Sequence, residues 1–125
     1  MNKNKPVLEN NEDVLNIIYK HDDNLIYEVN DNGIVYIIKQ YNHPIQNFFR
    51  KIKFKIPKEK KIELDEKSSF VFLQIDGVKT IKDIADLVDN RFGEKAYPLY
   101  ENILLFLNHI EVNEKFIVKV NEPNK

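Results

Sequence analysis

Two apolar, β-branched runs separated by a glycine turn dominate the first half of the chain. They cover residues 25–29 and 34–39, and the Asn-Asp-Asn-Gly sequence between them supplies the positive φ angles of a tight hairpin turn. The second run is apolar on both faces, which is typical of a central strand. A third run, at residues 61–64, alternates polar and apolar positions and carries edge-strand charges. The pattern therefore predicts a three-stranded antiparallel sheet.

Three amphipathic helical patterns follow the third strand. Asp65 is placed to cap the first helix, which ends before an Asp-Gly pair at 76–77. Thr80 begins the second helix, and Gly93 is placed for the left-handed residue that ends it. The third helix covers about residues 98–111. Three strands followed by three helices predict an α+β, winged-helix-like fold: a three-stranded antiparallel sheet followed by a three-helix bundle.

The remaining segments flank or interrupt this predicted domain, which covers residues 25–120. Residues 1–24 hold only a short apolar patch, so we predict a mobile or weakly docked N-terminal arm. Residues 40–60 form an insertion, in which apolar positions at helical spacing after Pro44 predict a short amphipathic helix. The last run before the polar tail 121–125 reads as a short strand or an extended segment.

Composition narrows the classes of function. The 125 residues suffice for one hydrophobic core, and 42% hydrophobic with 31% charged residues is ordinary for a soluble globular protein. The chain has no cysteine, which excludes disulfides, thiolate catalysis and cysteine-ligated metals. No apolar run approaches the roughly 18–20 residues of a membrane span, and the polar N-terminus differs from a signal peptide. We expect a cytoplasmic protein.

The sequence contains no recognisable catalytic or metal-binding motif. The histidines have no metal-ligand spacing, and the serines at 68 and 69 lack a glycine elbow. Three scattered glycines cannot build a phosphate-binding loop. We therefore predict no catalytic residue, no metal and no cofactor, and a protein that is not an enzyme. The histidines are His21, His43 and His109, and the glycines are Gly33, Gly77 and Gly93.

A basic run at residues 50–61 raises an alternative, because its seven Lys and Arg side chains face a single acid, Glu59. In a winged-helix fold such a run could hold nucleic-acid phosphates. However, the predicted third helix has no Lys or Arg and carries Glu101 and Glu111, which disfavours insertion into a DNA groove. A nucleic-acid-binding or regulatory winged-helix protein that uses this segment is thus the second hypothesis. Contact with an acidic membrane surface or an acidic protein also remains open.

A family resemblance covers residues 25–117, and the motifs that carry it lie from the third strand onward. The shared features are a strand ending in Leu-Asp, a helix before Asp-Gly, a Thr-Ile helix start, a Phe-Gly helix end and a Phe-Leu helix. With these features the chain resembles the coenzyme PQQ synthesis protein D (PqqD) family, whose members are recognition elements for ribosomally made precursor peptides. The matching positions are Leu64-Asp65, Leu73, Ile75-Asp76-Gly77, Thr80-Ile81, Ile84, Leu87, Phe92-Gly93, Phe106-Leu107 and Phe116-Ile117.

The resemblance implies a non-catalytic module that binds the leader of a ribosomally made precursor peptide and presents it to a modifying enzyme, often a radical SAM protein. The leader adds as a strand to the third strand and lies against the third helix. An exposed strand edge gives such a peptide its affinity, and neighbouring pockets give specificity. The same edge also offers a surface for homodimer formation. The implied peptide-binding residues are Lys61, Ile62, Glu63, Leu64, Tyr100, Ile103, Leu104 and Leu107. Most of the helix residues also suit a plain core; Tyr100 and Leu104, off the main stripe, suit a cleft better.

Overall fold

The computed structural model describes residues 12–40 and 59–121, and within these ranges the protein is an α+β fold with four α-helices and five strands. The helices are α1 (Glu12–Leu15), α2 (Glu66–Gln74), α3 (Ile81–Phe92) and α4 (Leu99–Asn108). The strands are β1 (Tyr19–His21), β2 (Ile26–Val29), β3 (Val35–Gln40), β4 (Glu59–Glu63) and β5 (Ile117–Lys119). A 3-10 turn (Gly93–Ala96) precedes α4, and a π-helical turn (His109–Asn113) follows it.

The larger sheet is three-stranded and antiparallel, with the order β2-β3-β4. The hairpin turn is as predicted: Gly33 adopts φ +82°, and the Asn30 side chain accepts hydrogen bonds from the backbone of Asn32 and Ile34 at 2.8 and 3.0 Å. The central position of β3 is also confirmed, and its residues Val35 and Ile37 are fully buried. The local hydrogen bonds and glycine of the turn thus position β2 and β3 relative to each other.

A second sheet, absent from the prediction, pairs β1 with β5. It changes the expected N-terminal arm, because Ile17 and Tyr19 belong to the core at 8% and 5% exposure. The backbone carbonyls of these two residues accept hydrogen bonds from Ile81 and Gly77 at 3.0 and 2.9 Å. Residues 17–21 are therefore not weakly docked, because strand pairing and the loop before α3 satisfy their backbone groups.

The predicted helix starts are confirmed in detail. Asp65 caps α2 by accepting a hydrogen bond from the backbone of Ser68 at 2.8 Å. Thr80 and Asp83 form a reciprocal capping box at the start of α3. The α3 helix ends at Phe92, and its cap residue Gly93 has the expected positive φ of +58°, although its ψ of −134° is not that of the predicted left-handed helical conformation. The helix α4 is shorter than predicted because the chain widens into the π-helical turn.

The core lies where the three later helices meet the buried face of the larger sheet. The helix α2 packs against α3, and α3 packs against α4. Phe72, Ile84 and Leu107 supply one fully buried side chain from each of these helices. The extra helix and the second sheet mean that the described fold has more elements than the three strands and three helices predicted.

Two sequence predictions fall outside the described residues: the amphipathic helix after Pro44 and most of the basic run. Among the helices of the described ranges, none is long and apolar enough to cross a membrane.

Candidate functional site

The exposed edge of β4 is the first component of the candidate site. Side chains alternate along it: Lys61 and Glu63 are exposed, whereas Ile62 and Leu64 are half-buried against the core. The Leu64 N–H donates to the carbonyl of Val35 at 2.9 Å, which makes these two residues a hydrogen-bonded pair. Such pairs alternate in an antiparallel ladder, so Ile62 also bonds β3.

The same alternation directs the backbone N–H and C=O groups of Lys61 and Glu63 away from β3. Within residues 12–40 and 59–121, β3 is the only strand that pairs with β4. Four backbone groups from two residues are therefore presented along the outer edge. An edge of this kind is the template for adding a further strand.

Ser69 fixes β4 against the helix that follows it. Its side chain, at 1% exposure, accepts a hydrogen bond from the Val35 N–H at 2.9 Å. The same hydroxyl donates to the carbonyl of Leu64 at 3.2 Å. The hydroxyl thus extends the ladder between β3 and β4 where direct backbone pairing ends, and it ties both strands to α2.

A small pocket opens immediately beyond the end of β4. It has a volume of about 190 Å³, and it lies between the N-terminal half of α2 and the outer flank of α4. This volume is below the roughly 300–1,000 Å³ of pockets that take whole small molecules, and it suits a single apolar side chain. The apolar lining residues are Val71, Val88, Ala96, Ile103 and Phe106, and the polar ones are Asp65, Lys67, Ser68 and Asn102.

The charged groups around the edge and the pocket are of mixed sign. The Lys61 ammonium contacts the Glu28 carboxylate at 3.2 Å, with both side chains more than half exposed. At the pocket, the Lys67 ammonium lies 5.6 Å from the centre of the Phe92 ring. Exposed pairs of this kind contribute little to stability. These side chains are thus available to exchange their present partners for groups on a bound molecule.

The structure separates the predicted site residues into two groups. Lys61 to Leu64 form and follow the outer edge of β4, which pairs with no further strand in the described part of the chain. Of the predicted helix residues, Ile103 lines the pocket, and both Ile103 and Leu107 are core side chains at 3% and 1% exposure. Tyr100 and Leu104 are half-buried against the core and do not line the pocket.

Tyr100 instead lies near the start of α3. The pKa of Lys82 is raised, chiefly by its hydrogen bond to Asp86 and the charge of Asp86, with a smaller contribution from the nearby Tyr100. The pocket-facing flank of α4 carries Asn102 and Phe106, which were not among the predicted site residues. These two residues are separated by one helical turn, but so are Tyr100 and Leu104, so the spacing alone does not identify the flank.

In the described part of the chain, no cluster of three histidine or acidic side chains is arranged to hold a metal ion. The Asn102 side-chain amide donates a hydrogen bond to the carbonyl of Ala96 at 3.0 Å, and this contact stabilises the pocket wall. No protein-family model, curated protein or solved structure matches this chain. The β4 edge and the adjacent pocket are therefore the features of this chain from which a function can be inferred.

Proposed function

We propose that the protein is a non-catalytic peptide-binding module that takes a partner peptide as an additional strand on β4. The observation that carries this proposal is the outward direction of the Lys61 and Glu63 backbone groups, next to a pocket of about 190 Å³. Main-chain hydrogen bonds to the edge would supply affinity, and the pocket would select one side chain of the peptide.

The path of the chain supports a single continuous site. The β4 strand ends at Glu63, and Asp65, two residues later, lines the pocket. We therefore expect a peptide strand that runs beside β4 to extend toward the pocket. Its side chains on the core face would lie beside Ile62 and Leu64, which favours apolar residues there.

The resemblance to the PqqD family supports a more specific form of the proposal. In that form the helices and the β2-β3-β4 sheet constitute a winged-helix-like domain, and the bound peptide is the leader of a ribosomally made precursor. The domain would present the leader to a modifying enzyme such as a radical SAM protein, in the cytoplasm. The helix α4 contains neither Lys nor Arg, which favours this function over DNA binding.

The direct test is backbone NMR of the full chain with a peptide selected from a random displayed library. Strand addition predicts that amide hydrogen exchange slows at Lys61 and Glu63, because their N–H groups gain acceptors. The amides of Ile62 and Leu64 already bond β3, so their exchange should change much less. A binding peptide that leaves both Lys61 and Glu63 unprotected would contradict strand addition.

A proline variant separates the backbone contribution from that of the side chain. Lys61→Pro deletes one outward N–H, and proline is tolerated on an edge strand where its missing N–H faces solvent. We expect affinity to fall about twofold to tenfold, the effect of one net hydrogen bond. Lys61→Ala, which retains the N–H, is the matched control and should bind within about twofold of the parent. Equal losses for the two variants would indicate that Lys61 acts through its charge.

The nucleic-acid alternative can be tested in the same assay. If the protein binds a peptide at β4, duplex DNA should neither compete with the selected peptide nor protect the β4 amides. Competition that weakens steeply with added salt would instead favour phosphate binding.

A further inference from the structure

A second cavity lies where the larger sheet meets the segment between α4 and β5. Its volume is about 350 Å³, within the range of pockets that enclose small ligands. Its lining is mixed: the apolar residues are Leu25, Ile26, Ile37, Ile38 and Phe116, and the polar or charged residues are Asn24, Lys39, Glu114 and Lys115. It shares no lining residue with the pocket beside β4. The two cavities are thus separate sites.

Two of the charged side chains in this cavity neutralise each other. The Lys39 ammonium contacts the Glu114 carboxylate at 2.7 Å and lies 5.8 Å from the centre of the Phe116 ring. The hydrogen bond from Lys39 is the main cause that lowers the pKa of Glu114, with smaller support from His109 at 3.4 Å. Glu114 therefore remains ionised at neutral pH, and the pair adds no net charge to the cavity.

Lys115 supplies the net charge of the cavity. It lines the cavity, it is exposed, and it forms no ion pair with any residue in the described part of the chain. The three charged side chains that line the cavity thus sum to one positive charge. Apolar lining residues together with one uncompensated ammonium match a ligand that has an apolar body and a single negative charge.

The backbone conformation of Lys115 provides a way to test the role of its side chain. Its φ is +60°, the only positive value at a non-glycine residue among those described. An L-residue in this conformation costs roughly 1–2 kcal/mol, whereas glycine adopts it freely. The fold would therefore be served better by glycine at this position. Lys115 follows the π-helical turn, and the Phe116 N–H donates to the carbonyl of Ile110 at 2.7 Å, so this is the left-handed position at which helices commonly end.

We propose that this cavity binds a carboxylate carried on an apolar chain, with the carboxylate at Lys115 and the chain against Leu25, Ile26 and Phe116. A fatty acid and the C-terminal apolar residue of a peptide share this chemistry. The site is independent of strand addition at β4, so either proposal can fail without the other.

The test is a titration of the isotope-labelled full chain by NMR with two probes, sodium octanoate and N-acetyl-phenylalanine. Each has an uncharged partner as a control, 1-octanol and N-acetyl-phenylalanine amide. We expect saturable shifts at the amides of Leu25, Lys39 and Phe116 for at least one acid, and about fivefold or more weaker binding of its uncharged partner. Tighter binding of octanoate would identify a lipid-derived acid, and tighter binding of N-acetyl-phenylalanine a peptide C-terminus. Saturation by neither acid would overturn the proposal.

Lys115→Gly distinguishes an effect on ligand binding from an effect on folding, because we expect it to weaken acid binding while it stabilises the fold. The variant removes the ammonium and relieves the positive φ, so the melting temperature should rise while acid binding weakens about fivefold or more. Lys115→Arg keeps the charge and should bind within about twofold of the parent. A Lys115→Gly variant that binds the acid as tightly as the parent would exclude Lys115 as the carboxylate partner.

Discussion

The β2–β3 hairpin and the β1–β5 pair are both two adjacent antiparallel strands, but they are held over very different chain separations. The hairpin turn closes over four residues, from the Ile34 N–H to the Asn30 side chain. At the β1–β5 pair, the Ile18 N–H donates to the Asn121 side chain across 103 residues. Within the hairpin, all four β2 residues are exposed and the buried residues lie on β3, whereas the β1–β5 pair has one buried residue on each strand, Tyr19 and Ile117.

This contrast separates what is visible in a sequence from what stabilises the fold. The free-energy cost of closing a loop grows only slowly with its length, so pairing across the whole chain is not prohibitive. Such a pairing leaves no local turn signature, however. The β1–β5 pair contributes Tyr19 and Ile117 to the core, yet it leaves less trace in the sequence than the hairpin does.

The largest expected effect comes from truncating the buried residue of β5. Ile117→Ala removes a side chain at 1% exposure, and we expect the free energy of unfolding to fall by about 2–5 kcal/mol. Ile26→Ala makes the same chemical change in β2, where Ile26 is 45% exposed, and should cost about 1 kcal/mol or less. Chemical denaturation of both variants measures the difference. A larger loss for Ile26→Ala would reverse the comparison.

A smaller effect tests whether the hairpin is as local as its turn suggests. Ser69→Ala leaves the Val35 N–H at the start of β3 without its acceptor, at a cost of about 1–3 kcal/mol. Ser68→Ala is the matched control on the same helix, because only the backbone N–H of Ser68 takes part in the helix cap. We expect the control to change stability by less than about 0.5 kcal/mol in the same denaturation assay. Equal effects would mean that the hairpin does not depend on α2.

Much of the described fold follows from short-range chemistry. The Asn30 and Gly33 turn, the Asp65 cap and the Thr80 capping box each involve residues within a few positions, so the sequence contains both partners. The second sheet was not predictable in this way. Three apolar residues at 17–19 fit a helix or a strand equally well, and the partner that decides between them lies at the other end of the chain.

The candidate site likewise has a part that the local sequence predicts and a part that depends on distant elements of the fold. Alternation within four residues was enough to predict the β4 edge and which of its side chains are exposed. The sequence favoured Tyr100 and Leu104 as the cleft residues of α4, whereas Asn102 and Phe106 line the pocket, and both pairs border the apolar stripe. The position of α2 decides which flank faces the pocket, and a helical pattern alone carries no information on that position.

The smallest effect concerns the loop that holds β1, and it should become smaller in acid. The pKa of Asp76 lies well below its usual range, chiefly because Lys79 donates a side-chain hydrogen bond to it, with further hydrogen bonds from the backbone of Lys79 and Val78. A lowered pKa in the folded state stabilises the protein above the unfolded value of about 3.9, and this contribution is lost as the pH falls below that value. Gly77, the next residue, donates to the carbonyl of Tyr19 at 2.9 Å, so the loop supports the β1–β5 pair directly.

Asp76→Asn keeps an acceptor for the backbone N–H groups and removes the charge. We expect a lower melting temperature than that of the parent at pH 7 and a smaller difference at pH 3, where the parent begins to lose the contribution of its carboxylate. Asp86→Asn is the control, because Asp86 also contacts a lysine one turn away, at 3.2 Å, but supports no strand. If the Asp76→Asn deficit is the same at both pH values, the carboxylate charge is not what stabilises this loop. If the two variants lose equally at pH 7, the loop contributes no more to the β1–β5 pair than a surface ion pair does.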